Sequence, residues 1–172
     1  MTRNALTDFA SVTPIITQLR LFGGTTGAQL ATLFRRLELW SLVPGEFVFH
    51  KGDEPYHIYI VKSGRIALQI AEDDVVIRKH EIGVGECFGE SSLLSMHRHT
   101  STAIAVCDSE VIALSRRALI ELKHEDVGLF ALLMMNLARE LARRLYLTDQ
   151  MLLAATAQNA RPEEARSGLH WS

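Results

Sequence analysis

The sequence predicts a mainly β domain with helices at both ends, in which the strands form a jelly-roll-like double-stranded β-helix. The first observation is that residues 41–114 contain many short apolar runs, separated by turn-forming pairs such as Pro44-Gly45 and Ser63-Gly64. Closely spaced short strands of this kind are typical of rolls and barrels. The second observation is that the residues before and after this region are apolar at helical intervals.

The composition is that of a globular protein with an ordinary core. Of the 172 residues, 48% are hydrophobic and 22% are charged, which is enough apolar material for a sizeable core. The formal net charge of −2 gives no overall basic footprint for nucleic acid. No apolar run approaches the ~20 residues of a membrane span, and no secretory signal pattern follows the first residues. Cys87 and Cys107 form no CxxC motif, so we expect free thiols in a reducing cytoplasm.

Residues 1–40 are interpreted as an N-terminal helical segment. Within residues 1–18 we expect a short helix that begins near Pro14, because proline is tolerated in the first turn of a helix. The glycine pair at residues 23–24 predicts a break in the chain. The apolar residues that follow recur at helical intervals, which predicts a second helix from about 26 to 39. Packed on the strands, such a segment is a helical cap.

Six apolar runs in the central region are predicted to be the strands of the roll. They are residues 46–49, 56–61, 65–70, 75–78, 103–106 and 111–114. Turn signals separate them at Pro44-Gly45, Lys51-Gly52-Asp53, Ser63-Gly64, Asp73-Asp74, Gly83-Val84-Gly85 and Cys107-Asp108. Glycine suits such corners because it adopts a positive φ angle without steric cost.

Residues 115–158 are interpreted as the C-terminal helices. Ser115 is a suitable N-cap for a short helix through Lys123, because its hydroxyl can accept a hydrogen bond from a free backbone N–H group. A second helix is expected over residues 126–158, and at about 1.5 Å per residue it would be roughly 50 Å long. Residues 159–172 are polar, contain proline and glycine, and are predicted to be a disordered tail.

The long helix carries an apolar stripe that predicts a partner. Its members recur every three or four residues, as they do in helices that pair with one another. They are Leu137, Leu141, Leu145, Thr148, Met151 or Leu152, and Ala155. A helix of this length exceeds what its own domain can cover, so we predict a homodimer formed through residues 126–158.

Residues 86–105 form the stretch with the clearest chemical signature. Gly89 allows close backbone approach to a ligand, and Ser91 and Ser92 follow it at a predicted helix start, which favours a bound anion. Glu90 offers a carboxylate that can accept hydrogen bonds from hydroxyl groups of a ligand. Cationic and hydroxyl donors then follow at Arg98, His99, Thr100 and Ser101. A carboxylate for a sugar beside donors for a phosphate describes a nucleotide pocket.

Two short motifs stand out in this stretch. They are Phe88-Gly89-Glu90-x-x-Leu93-Leu94 and, after a basic residue, Thr102-x-x-Ala105. Together they resemble the phosphate-binding cassette of cyclic-nucleotide-binding domains, a family that includes bacterial catabolite-activator regulators and the regulatory subunits of cyclic-AMP-dependent protein kinase. The resemblance extends over roughly residues 19–158. It implies a cyclic-nucleotide-binding β-roll, a cyclic nucleotide as ligand and no covalent cofactor.

The resemblance also implies roles for individual residues. Glu90 stands at the position of the glutamate that binds the ribose 2′-hydroxyl. In an ungapped match, His99 occupies the position of the arginine that binds the cyclic phosphate, and Arg98 lies one residue earlier. In the bacterial regulators, hydroxyl residues of the long helix contact the purine, and the matching positions here are Thr148 and Asp149. Only Thr148 keeps the hydroxyl.

Other chemistries have less support in the sequence. The spacing of His97 and His99 is open to a metal ion, but no third ligand is evident, so we predict no metal site. The sequence contains no GxSxG, HExxH or Walker motif, and nothing near Glu90 and His99 supplies a nucleophile. We therefore do not expect an enzyme.

We interpret the chain as a cytoplasmic regulatory sensor of a cyclic nucleotide, with cyclic AMP favoured over cyclic GMP. It would act by ligand-dependent movement of the C-terminal helix. The alternative is a ligand-free module for dimerisation or protein interaction with a degenerate pocket. His99 in place of arginine favours the module, whereas the intact Phe88-Gly89-Glu90 favours the sensor. No helix-turn-helix pattern follows the long helix, so we expect no direct DNA binding. The lack of a long apolar run predicts that the chain is not inserted in a membrane.

Overall fold

The computed structural model describes residues 1–6, 16, 19–72 and 75–159. The strands are β1 (Thr2–Ala5), β2 (Leu37–Leu42), β3 (Phe47–Phe49), β4 (His57–Ser63), β5 (Ile66–Glu72), β6 (Val75–Ile82), β7 (Cys87–Phe88), β8 (Thr102–Ala105) and β9 (Ser109–Ser115). The helices are α1 (Gly27–Phe34), α2 (Glu90–Ser95), α3 (Arg116–Glu125) and α4 (Val127–Asn159), with a 3₁₀ turn at Arg20–Phe22. The prediction of a mainly β roll with helical flanks is confirmed.

The strands pair into two antiparallel sheets. One sheet has the order β1-β2-β9-β4-β7 and the other has the order β3-β8-β5-β6. Successive residues of a strand point to opposite faces, so one strand can serve two cores. In β4, Ile58 and Ile60 belong to one buried cluster, whereas Tyr59 and Val61 belong to the other.

The two cores have different partners. The inner core collects buried side chains from both sheets, including Trp40 of β2 and Ile66 of β5. The outer core joins the five-stranded sheet to the helices, and it includes Leu33 of α1, Leu122 of α3 and Leu129 of α4. The roll is therefore closed by its own strands on one side of β4 and covered by helices on the other.

The predicted N-terminal helical segment, residues 1–40, does not hold for the first residues of the chain. Thr2–Ala5 forms β1, which pairs with β2 so that Arg3 lies opposite Trp40. The edge of β2 offers unpaired backbone groups, and pairing with them outweighs the weak local preferences of four residues. The predicted helix start at Pro14 lies outside the described residues.

The second predicted helix is shorter than expected. Thr26 begins it with a capping box, in which its hydroxyl accepts a hydrogen bond from the backbone of Gln29. The helix ends at Phe34, and Leu37–Leu42 extends as β2 along β9. The roll thus begins at Leu37 rather than residue 41, because pairing with β9 overrides the helical spacing of the apolar residues.

The start of the C-terminal helices agrees with the sequence. The Ser115 hydroxyl accepts a hydrogen bond from the Ala118 backbone N–H at 3.1 Å, which confirms the predicted N-cap of α3. Asp126 plays the same part for α4, since its carboxylate accepts from the Leu129 N–H at 2.8 Å. The bounds of α4 differ from the prediction by one residue at each end.

The chain divides into two compact units, residues 1–137 and residues 138–172. The first unit contains both sheets and buries Leu133 and Leu137 of α4. The described part of the second unit is the remainder of α4, and it exposes large apolar side chains. They are Leu145, Tyr146, Leu147, Met151, Leu152 and Leu153. The predicted tail lies outside the described residues, apart from Asn159 at the end of α4.

None of the helices in the described part of the chain has the length and hydropathy required to span a membrane.

Candidate functional site

The predicted cassette begins with a turn that glycine alone fits well. Phe88 of β7 pairs with Tyr59 of β4, and Gly89 then adopts a left-handed conformation with a φ angle of 80°. A Cβ atom at Gly89 would lie 3.1 Å from the His57 carbonyl oxygen and 3.1 Å from the Tyr59 ring. Gly89 therefore lets the chain pass from β7 straight into α2 while it stays against β4.

Glu90 is the first residue of α2, and it is fully buried, with 0% of its surface exposed. A solvated turn carboxylate, the ordinary role for such a residue, is incompatible with that burial. Charged groups are seldom placed in an interior unless polar groups compensate them. The structure thus holds the Glu90 side chain inside the cassette rather than in solvent.

The two serines that follow lie on different sides of α2. Ser91 is exposed and Ser92 is buried, because successive residues of a helix are about 100° apart. The two side chains therefore occupy different environments, one in solvent and one in the interior. The Leu93 N–H already bonds to the Gly89 carbonyl at 3.1 Å, so fewer backbone donors remain free at this short helix.

Arg98 lies on the loop after α2 and is engaged with a neighbouring turn. Its Nη1 donates to the Gly52 carbonyl at 2.8 Å, and its Nη2 forms an ion pair with Glu54 at 2.6 Å. The side chain is nevertheless 66% exposed. An exposed ion pair contributes little to stability, so Arg98 can exchange Glu54 for another anion at small cost.

His99 is anchored by its backbone and buried by its ring. Its N–H donates to the Asp53 carbonyl at 3.0 Å, and its carbonyl accepts from the Gly52 N–H at 2.8 Å. The imidazole stacks on Phe49, with ring centroids 3.6 Å apart and planes 7° apart. Burial lowers the pKa of His99, and the nearby Asp53 carboxylate opposes that shift only in part. The ring is therefore neutral at pH 7.

The remaining cassette residues divide between solvent and interior. Thr100 is exposed and Ser101 is buried at the start of β8. The neighbouring Thr102 hydroxyl accepts a hydrogen bond from the Lys51 backbone N–H at 3.0 Å. This contact, with those of Arg98 and His99, ties the second half of the cassette to residues 51–54.

Thr148 and Asp149 belong to the second unit, and both are exposed. The Thr148 hydroxyl donates to the Arg144 carbonyl one turn earlier in α4, at 2.9 Å. A purine contact through this hydroxyl would use its acceptor lone pairs or replace that internal bond.

A cavity of about 340 Å³ opens beside Arg98 and His99 in the first unit. Other side chains that line it come from β1, β2, β3, β4 and the 53–56 loop, and they include Arg3, Trp40, Phe49, Asp53, His57 and Tyr59. Sequence reasoning missed all of these residues. The spacing of Phe47 with Phe49 and of His57 with Tyr59 predicted that each pair shares one face of its strand. It could not show which face borders the cavity, because strand register decides that.

The structure therefore gathers the predicted residues only in part. Arg98 and His99 share one cavity, whereas Gly89 and Glu90 are not among the residues that line it. The described residues contain no group of three or more His, Cys, Asp or Glu side chains placed to hold a metal ion.

Comparison with known families now identifies the class of protein. The model of the cyclic nucleotide-binding domain matches residues 39–126, which include the whole of the predicted cassette. The chain belongs to the cyclic nucleotide-binding domain family.

Two curated relatives illustrate the range of the family. A cyclic nucleotide-gated cation channel protein from Drosophila melanogaster is 32% identical over 110 residues, covering 60% of this chain and 16% of the channel protein. A cyclic AMP receptor protein from Thermus thermophilus is 33% identical over 120 residues, covering 68% of this chain and 53% of the receptor. The chain thus matches about half of the receptor and a sixth of the channel protein.

The solved structures place the fold in the same class. The catabolite activator protein of Thermus thermophilus superposes with a TM-score of 0.68 at 30% identity, covering 80% of this chain and 63% of that one. The fold agrees with the family, since the chain is built as the roll and C-terminal helix that its sequence predicts.

Proposed function

We propose that this protein is a sensor that binds a cyclic nucleotide, with cyclic AMP preferred over cyclic GMP, and transmits the binding without catalysing a reaction. The observation that carries the proposal is the buried carboxylate of Glu90, placed directly after the left-handed Gly89 within the matched family region. The preference for cyclic AMP is supported by the Thermus thermophilus relative, which is named as a receptor for that nucleotide.

In this proposal Glu90 accepts a hydrogen bond from the ribose 2′-hydroxyl. Such a bond is strong when the acceptor is an ionised carboxylate that is sheltered from water. Phe88 supports Gly89 from the inner core, where its ring lies 5.1 Å from that of Tyr59. Of the two serines, the buried Ser92 is the better placed to assist inside the cassette.

The phosphate would be held by Arg98 or by a protonated His99, with Thr100 and Ser101 as further donors. Arg98 keeps a full charge and is accessible, but it must give up Glu54. His99 lies in the cavity wall, but it must gain a proton that its burial disfavours. The two candidates differ in their response to pH, which makes them distinguishable by experiment.

Signal transmission would pass through α4. A ligand that bridges the cassette and Thr148 or Asp149 would favour the arrangement in which they are close, provided that its affinity differs between the two states. The exposed apolar side chains of the second unit, such as Leu145 and Leu152, support pairing with a second copy of the chain. The formal net charge of −2 favours an output through protein contacts rather than direct DNA contacts. Action in the cytoplasm stays a prediction.

A second candidate function is a ligand-free interaction module. Two contacts favour the interaction module, because each one engages a side chain that would have to bind the phosphate in the sensor. Arg98 is paired with Glu54, and the His99 ring is stacked on Phe49. In this alternative the roll is kept as a scaffold for pairing or docking.

Calorimetric titration with cyclic AMP, cyclic GMP and 5′-AMP separates the two candidates. If the protein is a sensor, we expect saturable binding of cyclic AMP and weaker binding of cyclic GMP. Binding of 5′-AMP should be weaker still, because its phosphate carries more charge and is not closed into the 3′,5′-cyclic ring. If no cyclic nucleotide binds at millimolar concentration, the interaction module replaces the sensor.

A further inference from the structure

The cavity beside Arg98 and His99 has aromatic walls. The Trp40 ring lies 5.1 Å from that of Tyr59 and 5.2 Å from that of His57, both in edge-on arrangements. The stacked pair of Phe49 and His99 completes the lining, since both residues border the same cavity. Rings fixed by mutual contacts form a preformed surface for a planar molecule, because edge-to-face and offset contacts with them need no rearrangement.

Several polar groups on these walls lack a hydrogen-bond partner among the described residues. They are the Tyr59 hydroxyl and the ring nitrogens of His57 and His99. Tyr59 and His99 are each only 4% exposed, and burial raises the pKa of the Tyr59 phenol above its usual range. These atoms border the cavity rather than being sealed in the interior, so a molecule in the cavity can reach them and bond to them.

Among the described residues, the charges around the cavity leave the Arg3 guanidinium available to a ligand. Glu54 is paired with Arg98, and the Asp53 carboxylate accepts the His50 backbone N–H at 2.8 Å. Arg3 lies over the Trp40 ring at 3.9 Å from its centroid and forms no ion pair within the described part of the chain. The pairing of β1 with β2 places Arg3 opposite Trp40, and the ring contact positions the guanidinium while its N–H groups stay open to an anion.

We propose that this cavity is a second ligand site, which binds a small planar aromatic molecule carrying one anionic group. The ring of the ligand would lie among Trp40, Phe49 and Tyr59, and its anionic group would accept hydrogen bonds from Arg3. The Tyr59 hydroxyl and the two imidazoles would bond to polar substituents on the ring. At about 340 Å³ the cavity has room for one such molecule.

This site does not depend on the cyclic nucleotide. Gly89, Glu90 and Ser92 do not line the cavity, so its ligand needs no ribose or phosphate. The two sites share Arg98 and His99 only, and an occupant of the cavity would hold the His99 ring where it is. The inference therefore goes beyond the proposed function and can fail or succeed separately from it.

Benzoate is a suitable probe. The sequence has two tryptophans, so the experiment uses the 172-residue chain with Trp171→Phe, in which all tryptophan fluorescence comes from Trp40. We expect benzoate to change the Trp40 fluorescence in a saturable manner at pH 7.5. Cyclohexanecarboxylate has the charge without the aromatic ring, and benzylamine has the ring with the opposite charge. Both should bind at least about tenfold more weakly, since each loses one of the two proposed interactions.

Single substitutions test the contacts. Tyr59→Phe removes only the hydroxyl group, to which 4-hydroxybenzoate can form a hydrogen bond and benzoate cannot. The substitution should therefore weaken the binding of 4-hydroxybenzoate about threefold to tenfold more than it weakens the binding of benzoate. Arg3→Gln should weaken binding of both carboxylates about tenfold, and thermal unfolding would verify that both variants are folded. Glu121→Gln, at a partly exposed carboxylate of α3 outside both sites, serves as the control and should leave benzoate binding unchanged.

Three results would overturn the proposal. They are a fluorescence change that never saturates, tighter binding of benzylamine than of benzoate, and equal benzoate binding by the chain with Arg3→Gln. Competition provides a further test, because loss of benzoate binding in Glu90→Gln together with displacement by cyclic AMP would assign the cavity to the cyclic nucleotide instead.

Discussion

Glu90 is the residue on which nucleotide recognition depends in this proposal. Its carboxylate is fully buried at the start of α2, so Glu90→Gln keeps the shape and removes the charge. We expect a loss of about 1–1.5 kcal/mol in cyclic AMP affinity, because the glutamine carbonyl still accepts a hydrogen bond but a neutral one, which contributes less than a bond to a charged group. Calorimetry measures the loss, and Glu121→Gln, a partly exposed carboxylate of α3, is the control. Equal affinities in wild type and Glu90→Gln would remove Glu90 from the site.

The phosphate anchor is the second question at the scale of single residues. In the free protein, burial lowers the pKa of His99, whereas a bound phosphate would raise it. Binding through His99 would then take up a proton. The affinity for cyclic AMP should therefore rise as the pH falls from 8 through the range near 6.5. It should level off below the lowered pKa of His99 in the free protein, where the imidazole is already protonated. Binding through Arg98 would show no such dependence.

Two variants separate these anchors. His99→Gln should abolish the pH dependence, whereas His97→Gln, an exposed histidine two residues earlier, should preserve it. Arg98→Ala should abolish binding only if Arg98 is the anchor. A pH-independent affinity that survives both His99→Gln and Arg98→Ala would show that neither residue holds the phosphate.

At the scale of elements, the turn between β7 and α2 depends on the backbone of Gly89. Gly89→Ala places a methyl group against β4 at a φ angle of 80°, and we expect it to lower the free energy of unfolding by about 1–3 kcal/mol. Gly45→Ala is a matched control, because its φ angle is 86° but no atom lies within 4 Å of the added carbon. Denaturant unfolding should show a larger loss for Gly89→Ala than for Gly45→Ala. Equal losses would mean that contact with β4 contributes nothing.

At the scale of the whole molecule, the second unit leads to a prediction about assembly. Leu145 and Leu152 are 63% and 66% exposed on one face of α4, so charges there should not disturb the roll. In a paired helix the same charges would be buried without partners, which is strongly unfavourable. Leu145→Asp with Leu152→Asp should therefore convert a dimer into a folded monomer in analytical ultracentrifugation.

The control for this experiment places charges on the other side of the same helix. Gln150→Asp with Ala154→Asp alters exposed positions that lie away from the stripe, so the dimer should persist. A wild-type protein that sediments as a monomer at tens of micromolar would contradict the prediction, and the apolar face would then need another partner.

Local signals in the sequence were enough to place the cassette motif, most strands of the central region and the long helix. Gly89 and Ser115 illustrate why, because a left-handed turn and an N-cap are decided by a residue and its immediate neighbours. The alternating strands between residues 46 and 114 were equally readable, because one face of each strand must be apolar. The family itself followed from the short motif Phe88-Gly89-Glu90-x-x-Leu93-Leu94.

Only the tertiary structure decided the features that depend on long-range pairing. Thr2–Ala5 forms a strand because the edge of β2 is available for pairing. The helix before β2 ends at Phe34 because the residues of β2 pair with β9. The aromatic cavity joins residues from position 3 to position 99, and no local pattern can show that their side chains converge. The sequence by itself thus determined the family and the position of the cassette. The register of the strands decided which side chains line the cavity, because a shift of one residue turns every side chain to the opposite face.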